Sequence, residues 1–273
     1  MFSKVLVTSA LCAVAFASPF LPYSQQAAQR PAEMQVLSDY FSMLGQKVQA
    51  GRQMSEAPVC NLDNAVLPVD CKYISSYIIL TTTDSISKAA APLPPVSEGL
   101  TLKHVAIGRG IQNYTCSQTN ATAPPVSIGA VATLYNASCV ASTYPDLLTL
   151  LPNVALQFNL TSDDQATLSP SYLAISGHHY FANTTTPTFN LDTASQDLGF
   201  APCSKNNTSL APTGSPAGQG GQGHGSVAWL KLVTREGATG NLEEVYRVNT
   251  AGGNPPATCA GMPATFEVQY AAE

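Results

Sequence analysis

Short runs of β-branched and aromatic residues, separated by Pro, Gly, Asn and Ser, dominate the sequence beyond Cys60. Runs of this kind predict strands. We place nine strands, at Tyr77–Thr82, Leu102–Thr115, Ser127–Tyr135, Val154–Leu160, Tyr172–Phe181, Thr188–Leu191, Val227–Thr234, Val245–Asn249 and Phe266–Tyr270. Helical spacing is nearly absent between them. Many short strands without intervening helices favour an all-β fold, an antiparallel β-sandwich or barrel, over an α/β fold.

One amphipathic helix precedes these strands. Between Pro31 and Ala50, apolar residues recur at three- and four-residue spacing, which predicts a helix with one apolar face. We therefore expect a signal peptide at 1–17, a tail and this helix at 18–59, and a disulfide-stapled β domain at 60–273. A loop rich in Gly, Pro and Gln interrupts that domain at 211–226. We expect it to be a mobile surface loop, and a lid over a site is the alternative.

The first residues have the features of an export signal. Lys4 is followed by an apolar run that ends in Ala15-Phe16-Ala17, with small residues two apart before Ser18. This pattern predicts cleavage before Ser18 and a secreted, extracellular protein. Later in the sequence, no segment approaches the roughly 20 apolar residues of a membrane helix, so we expect no membrane span.

The charge of the chain disfavours nucleic acid as a partner. The formal net charge is −5, and loss of Lys4 on cleavage makes it one unit more negative. An acidic surface repels phosphate backbones, and the sequence has no basic run with interleaved aromatic residues to offset this.

Six cysteines remain once Cys12 leaves with the signal peptide: Cys60, Cys71, Cys116, Cys139, Cys203 and Cys259. An even number of cysteines in an oxidising compartment predicts three disulfides, although sequence alone does not fix their connectivity. Nearest-neighbour pairing is our working assignment: Cys60–Cys71, Cys116–Cys139 and Cys203–Cys259. The sequence lacks the Cys-x-x-Cys pair that is typical of zinc sites.

Seven Asn-x-Ser/Thr acceptors indicate a glycosylated eukaryotic secretory protein. They lie at Asn113, Asn120, Asn136, Asn159, Asn183, Asn206 and Asn207. Because Asn206 and Asn207 are adjacent, we expect steric exclusion to leave one of those two unoccupied.

Gly108-Arg109-Gly110 resembles the start of a dinucleotide fingerprint. Asn113 stands in place of the third glycine, and the expected ribose-binding acid is missing between Ile128 and Thr133. We therefore expect no nicotinamide cofactor, and more generally no cofactor. These glycines instead predict a twisted or bulged strand that another backbone approaches closely.

Adjacent histidines on a strand point to opposite faces, so His178 and His179 cannot share a ligand unless a bulge intervenes. Alternation predicts one core-facing set: Leu173, Ile175, His179 and Phe181. We expect His179 to be buried and hydrogen-bonded, and His178 to lie at the surface or in a cleft. No metal is expected. A metal site that combines His178 with His104 or His224 is the alternative.

Common hydrolase signatures are missing from the sequence: it has neither a Gly-x-Ser-x-Gly elbow nor a His-Glu-x-x-His helix. Alternation places Leu230 and Leu232 on one strand face and Trp229 on the other. An exposed Trp229 would suit sugar stacking, whereas a buried one would pack in a second apolar layer. Our candidate ligand-binding residues are His178, Tyr180, Trp229 and Arg247.

Several segments, taken in order, resemble one family: Gly108–Cys116, Gly177–Phe181, Trp229–Leu232, Val245–Gly253, Cys259 and Tyr270–Glu273. The pattern resembles the secreted fungal and bacterial proteins that are grouped as domain of unknown function 3455, from about Leu100 to the end of the sequence. The resemblance implies a secreted, mostly β domain without an established activity. Members often carry the label "malate dehydrogenase", which the incomplete dinucleotide fingerprint argues against.

Together these features predict a non-enzymatic protein that is extracellular or associated with the cell wall and binds a glycan or a protein surface. The alternative hypothesis is a secreted hydrolase or metalloenzyme that uses His178 with His104 or His224.

Overall fold

A computed structural model describes residues 32–54, 60–69, 91–158, 167–168 and 170–273. Within these ranges the chain forms a mostly antiparallel sheet that curls into a half-barrel, which confirms the predicted β class. The strands are β1 (Ala106–Thr115), β2 (Val126–Asn136), β3 (Thr167–Leu168), β4 (Leu173–Asn183), β5 (Thr186–Asp192), β6 (Asp197–Ser209), β7 (Trp229–Thr234), β8 (Glu244–Arg247), β9 (Ala251–Gly252) and β10 (Thr265–Ala272). Their order across the sheet is β8-β7-β6-β5-β4-β2-β1-β10-β9, and β3 pairs with β4.

The two ends of this strand order are joined by the short segment that contains β8 and β9. β8 pairs with β7, and β9 pairs with β10. Between them, Val248 exchanges two backbone hydrogen bonds with Glu273, of 2.9 and 3.0 Å. The curled sheet therefore encloses a concave interior next to β8.

Three α-helices lie in the described residues: α1 (Ala32–Gly51), α2 (Ser138–Thr143) and α3 (Pro145–Gln157). The predicted N-terminal helix is confirmed. The predicted strand at Val154–Leu160 is wrong over its described part, because Val154 to Gln157 belong to α3. Pro145 and Asp146 favour a helix start there. Nearly continuous apolar residues in the rest of the segment conceal the helical period.

The helices cover the outer, convex face of the sheet. α3 packs against β1, β9 and β10, and α1 packs against α3. Their apolar faces join outward-facing strand residues in one core, which includes Ile107, Tyr135, Leu151, Val154, Leu156 and Ala271. No helix in the described ranges is long and apolar enough to cross a membrane.

Arg109 is buried between this core and the end of α3. Its guanidinium donates hydrogen bonds to the backbone carbonyls of Gly110, Ala155, Leu156, Phe158 and Tyr270, and to the side-chain oxygen of Gln269. Three of these carbonyls belong to the last residues of α3 or to Phe158 just after it, where a helix leaves acceptors unpaired and favours a cation. Arg109 therefore fastens α3 to the sheet.

Seven of the nine predicted strands correspond to strands of the sheet. The one predicted at Tyr77–Thr82 lies outside the described residues. β6 was not predicted, although it is the longest strand described, because Gly199, Pro202 and the Asn206-Asn207 pair are typical of turns. Pairing with β5 and β7 on both sides overrides this local preference.

The predicted face of β4 needs a correction. The register between β2 and β4 shifts between Leu134 and Tyr135, which leaves Ser176 as an extra residue. Leu173 and Ile175 consequently pack against the helix-side core, whereas His179 and Phe181 face the concave interior. A bulge of this kind reverses the alternation on which the sequence prediction relied.

The disulfide pairing predicted from nearest neighbours is wrong. The structure joins Cys60 to Cys139 and Cys116 to Cys259. Antiparallel pairing brings the end of β1 beside the start of β10, so Cys116 lies close to a residue that is distant in sequence. Cys203 is a buried thiol without a disulfide partner among the described residues, and burial raises its pKa to about 12. Cys71 lies outside those residues.

The Gly-rich segment at 211–226 is held to the body by hydrogen bonds. The carbonyl oxygen of Pro216 accepts from the Gly252 N–H and from the Ser226 hydroxyl, and the Gly220 N–H donates to Gln157. Residues of this segment do not line the interior cavity described below. The arrangement does not support the alternative interpretation of this segment as a lid over a site.

Candidate functional site

The concave interior of the half-barrel contains a cavity of about 750 Å³. Side chains from β4, β5, β7 and β8 make most of its wall apolar; they include Phe181, Phe189, Leu191, Leu230, Leu232 and Val245. Ligand sites are typically concave, largely apolar and of this size, with a few convergent polar groups. The cavity is therefore the candidate functional site.

The space exists because small residues occupy the centre of the inner face. Gly110, Ala132 and His179 stand side by side across β1, β2 and β4, with Tyr270 beyond Gly110 and Phe189 beyond His179. Two small residues in the middle of this row leave room between the rings of Tyr270 and His179.

Glycine is needed at two points where backbones approach closely. A Cβ atom at Gly110 would lie 2.0 Å from the carbonyl oxygen of Val131, and one at Gly177 would lie 2.4 Å from that of Asn190. At Gly110 this confirms the prediction that glycine in the Gly108-Arg109-Gly110 segment admits another backbone.

The chain before β1 borders the cavity as a strap, residues 91–104. Val96, Leu100 and Leu102 of the strap line the cavity. Two side chains hold the strap by hydrogen bonds: the buried Lys231 donates to the Pro95 carbonyl, and the hydroxyl of the half-buried Tyr246 donates to that of Pro94.

The anchor of the strap is a buried ion pair. Lys231 Nζ lies 2.9 Å from Glu244 Oε1, and both side chains are less than 10% exposed, at 6% and 8%. The Ser97 hydroxyl donates to the same carboxylate at 2.6 Å. Lys231 also lies over the ring of Tyr246. The charges of this anchor are thus matched within the protein.

Arg247 is the central cation of the cavity wall. It projects from β8 opposite Leu230, and its Nε and Nη2 donate to one carbonyl oxygen, that of Ala228, at 3.2 and 2.7 Å. No carboxylate in the described ranges lies within 4.0 Å of the guanidinium. Burial lowers the pKa of Arg247, and nearby Tyr270 and Tyr114 oppose this shift.

Gln112 supplies an unpaired donor to the same interior. This residue is 6% exposed and lines the cavity. Its Nε2 is buried and has no hydrogen-bond partner among the residues that the structure describes. A buried donor without an acceptor costs free energy, so this amide is poised for a ligand oxygen.

His179 lies on the cavity wall between two aromatic rings. Its ring stacks on Phe189 with centroids 4.4 Å apart and meets Phe181 edge to face. Nδ1 lies 3.0 Å from the Thr188 carbonyl oxygen, which fixes it as the donor. Burial lowers the pKa of His179 to about 4, the Thr188 bond opposes this, and the charge of Arg247 lowers it further.

Two tyrosines, Tyr114 and Tyr270, interact electrostatically with Arg247. Burial raises the pKa of both Tyr114 and Tyr270 to about 12, and Arg247 opposes the shift in each. The Tyr114 hydroxyl donates to the Gly253 carbonyl at 2.8 Å. Both phenols are therefore neutral, and they surround the cation without neutralising it.

The acidic residue Glu273 also borders the cavity. Its carboxylate accepts a hydrogen bond of 2.7 Å from the Asn249 amide. Burial raises the pKa of Glu273 to about 7, and the Asn249 bond opposes that shift. Glu273 is thus partly protonated near neutrality and makes no ion pair with Arg247 in the described structure.

The four candidate ligand residues from the sequence do not converge. Arg247 lines the cavity, whereas His178 and Tyr180 lie on the opposite face of β4, where His178 is exposed. Trp229 is fully buried on the outer side of β7, against Leu93 and other apolar residues. As predicted, His179 is the buried, hydrogen-bonded member of its pair.

The histidines of the metalloenzyme hypothesis are engaged elsewhere or exposed. His104 Nε2 lies 2.8 Å from the Ser176 hydroxyl and Nδ1 lies 3.2 Å from that of Ser138. His224 is exposed in the Gly-rich segment. The described residues contain no group of three or more His, Cys, Asp or Glu side chains placed to hold a metal ion.

Sequence reasoning missed Gln112 and Tyr270 as cavity residues. The signal for Gln112 was its two-residue spacing from Gly108 and Gly110, which places all three on one strand face. Tyr270 could not be assigned without knowing that β10 pairs with β1.

A family model described as "Protein of unknown function (DUF3455)" matches residues 96–273. The match covers the strap from Val96 onward and every strand of the half-barrel. Neither the curated proteins nor the solved structures contain a match to this chain.

Proposed function

This chain belongs to the DUF3455 family of unknown function, and we propose that it is an exported binding protein whose ligand lies inside the half-barrel. The observation that carries the proposal is an apolar cavity in which Arg247 has no acidic partner and Gln112 has no acceptor. Removing these polar groups from water without a partner costs free energy, and a ligand that paired with them would offset that cost.

A small molecule suits this arrangement better than the glycan or protein surface that we expected from the sequence. The free donors of Arg247 and Gln112 lie on the inner face, where they line the cavity. Two of the outer-face candidates, Tyr180 and Trp229, are half-buried and fully buried. Of the four candidates, Arg247 therefore remains the proposed ligand-binding residue.

The test measures whether the interior takes up an apolar probe. N-phenyl-1-naphthylamine is a neutral dye whose fluorescence rises in apolar surroundings, and we expect saturable binding to the purified protein. Leu230→Trp adds bulk on the cavity wall and should weaken binding roughly tenfold or more, since overfilling a cavity forces displacement.

Val131→Trp is the matched control, because Val131 is 52% exposed on the outer face of β2. It adds the same indole outside the cavity and should leave dye binding unchanged. Equal loss in both variants, or no saturable binding by the parent protein, would contradict an interior site.

The extracellular part of the proposal rests on the predicted signal peptide, the disulfides and the predicted glycosylation acceptors. Asn120, Asn136, Asn183, Asn206 and Asn207 are exposed, and Asn113 is half-buried; Asn159 lies outside the described residues. Expression in a fungal secretory host should yield protein in the medium that begins at Ser18. Peptide N-glycosidase treatment should lower its mass, and an unprocessed or unmodified product would count against export.

A further inference from the structure

We propose further that the ligand is a carboxylic acid with an apolar body, whose carboxylate binds Arg247 and the Gln112 amide. This inference rests on the proposed function, because it names the ligand class for the same cavity. It uses four features of the wall: the unpaired charge of Arg247, the free donors, the apolar area and the number of cations that are not exposed.

The first step is charge. Arg247 carries a positive charge, and the neighbouring Tyr114 and Tyr270 are neutral phenols. Glu244, the other buried acid at this end, already pairs with Lys231. Glu273 is bonded to Asn249 and its pKa is raised by burial. Arg247 is therefore a cation of the wall that makes no ion pair among the described residues, and an anionic ligand would neutralise it.

The second step is hydrogen bonding. Arg247 Nη1 and Gln112 Nε2 have no acceptor among the described residues, and both groups line the cavity. Both are donors, so the complementary ligand group is an acceptor. Carboxylate oxygens accept charge-assisted hydrogen bonds from guanidinium groups in a favourable geometry.

The third step is the ligand body. Phe181, Phe189, Leu230 and Leu232 present apolar surface without polar atoms. A sugar would lose the hydration of its hydroxyls there without regaining hydrogen bonds. An alkyl chain or an aromatic skeleton would instead gain by leaving water.

The fourth step concerns the number of charges. Among the described residues, Arg247 is the least exposed cation of the wall: it is half-buried, whereas Lys205 and Lys103 are exposed. A carboxylate carries one negative charge, whereas a phosphate monoester carries nearly two at neutral pH. The single charge of the half-buried Arg247 matches the single charge of one carboxylate.

The experiment compares three probes that share one chain: decanoate, decanol and decyltrimethylammonium. Each competes with N-phenyl-1-naphthylamine for the parent protein at about pH 6, where Glu273 is mostly protonated and decanoate is ionised. We expect decanoate to displace the dye at a concentration roughly ten- to a hundredfold lower than decanol, the range given by charge-assisted hydrogen bonds. The ammonium probe should bind most weakly.

Two variants locate the preference. Arg247→Gln keeps a donor for Ala228 but removes the charge, and should reduce the preference for decanoate over decanol to less than about threefold. Gln112→Leu should weaken decanoate binding and leave decanol unchanged. Arg52→Gln removes an exposed cation just after the end of α1 and is the matched control, with no change expected. If Arg247→Gln does not fold, Gln112→Leu carries the test.

The two proposals fail in different ways. Dye binding that decanol and decanoate displace equally, or a carboxylate preference that survives in both variants, would overturn the carboxylate assignment and leave the interior site standing. Failure of the parent protein to bind the dye would overturn the interior site itself.

Discussion

Each face of the sheet carries an arginine, fully buried in the case of Arg109 and half-buried in the case of Arg247, and the two differ in what surrounds them. On the outer face, Arg109 donates to five backbone carbonyls and to Gln269, and it joins α3 to the sheet. On the inner face, Arg247 donates to one carbonyl, that of Ala228. The comparison teaches that burial of a cation alone does not mark a site; the number of unused donors does.

The largest expected effect separates these two arginines. Arg109→Met should lower the free energy of unfolding by about 4 kcal/mol or more, because each buried carbonyl left without a donor costs about 1–3 kcal/mol. Arg247→Met should lower it by about 1–3 kcal/mol, since it leaves only one such carbonyl. Urea unfolding followed by fluorescence measures both values. Equal destabilisation by the two substitutions would remove the distinction between the faces.

The next prediction concerns Lys231, a buried cation whose charge is paired with that of Glu244. Glu244→Gln should lower the free energy of unfolding by about 3 kcal/mol, because Lys231 would remain buried without its anion. Glu243→Gln changes the adjacent, exposed carboxylate and should alter stability by about 0.5 kcal/mol or less. The same urea titration compares them. A small effect of Glu244→Gln would mean that water reaches Lys231.

The sequence was sufficient for the strand content and for part of the site. Runs of alternating residues predicted β1, β2, β4, β5, β7, β8 and β10, because half-buried strands alternate by nature. β6 and α3 were not predicted. Gly199 and Pro202 are typical of turns, but strand pairing overrides this preference in β6. The apolar run after Pro145 conceals the helical period of α3.

The site was only partly predictable for a related reason. Arg247 was identified as a candidate, but its lack of an acidic partner depends on which strands meet around it. His178 and His179 were assigned to opposite faces correctly, yet the bulge at Ser176 decides which other residues share the face of His179. Long-range pairing of this kind, like the Cys116–Cys259 disulfide, is not encoded in local periodicity.

A smaller effect concerns pH and the two buried histidines. Burial lowers the pKa of both His104 and His179 to about 4. The unfolded chain therefore binds more protons than the folded one between about pH 6.5 and 4, and stability should fall by about 2–3 kcal/mol per histidine across that window. Glu273, with its pKa raised to about 7, acts in the opposite direction above about pH 4.5. Urea unfolding at several pH values measures the net slope.

The two faces can be separated in this titration by NMR of the imidazole carbons. Arg247 lowers the pKa of His179 but is not among the groups that act on His104. Arg247→Gln should therefore raise the pKa of His179 and leave that of His104 in place. Movement of both pKa values would indicate a general change of structure.

The smallest effect has the opposite sign on the two faces. Gln112→Leu should raise the free energy of unfolding by about 1 kcal/mol, because it removes a buried donor that has no acceptor among the described residues. Gln269→Leu should lower it by about 1–3 kcal/mol, because Gln269 accepts from Arg109. The two substitutions are chemically identical and lie on neighbouring strands. Opposite shifts in the urea midpoint would show that the Gln112 side chain lowers stability where the Gln269 side chain raises it, and shifts of the same sign would contradict that difference.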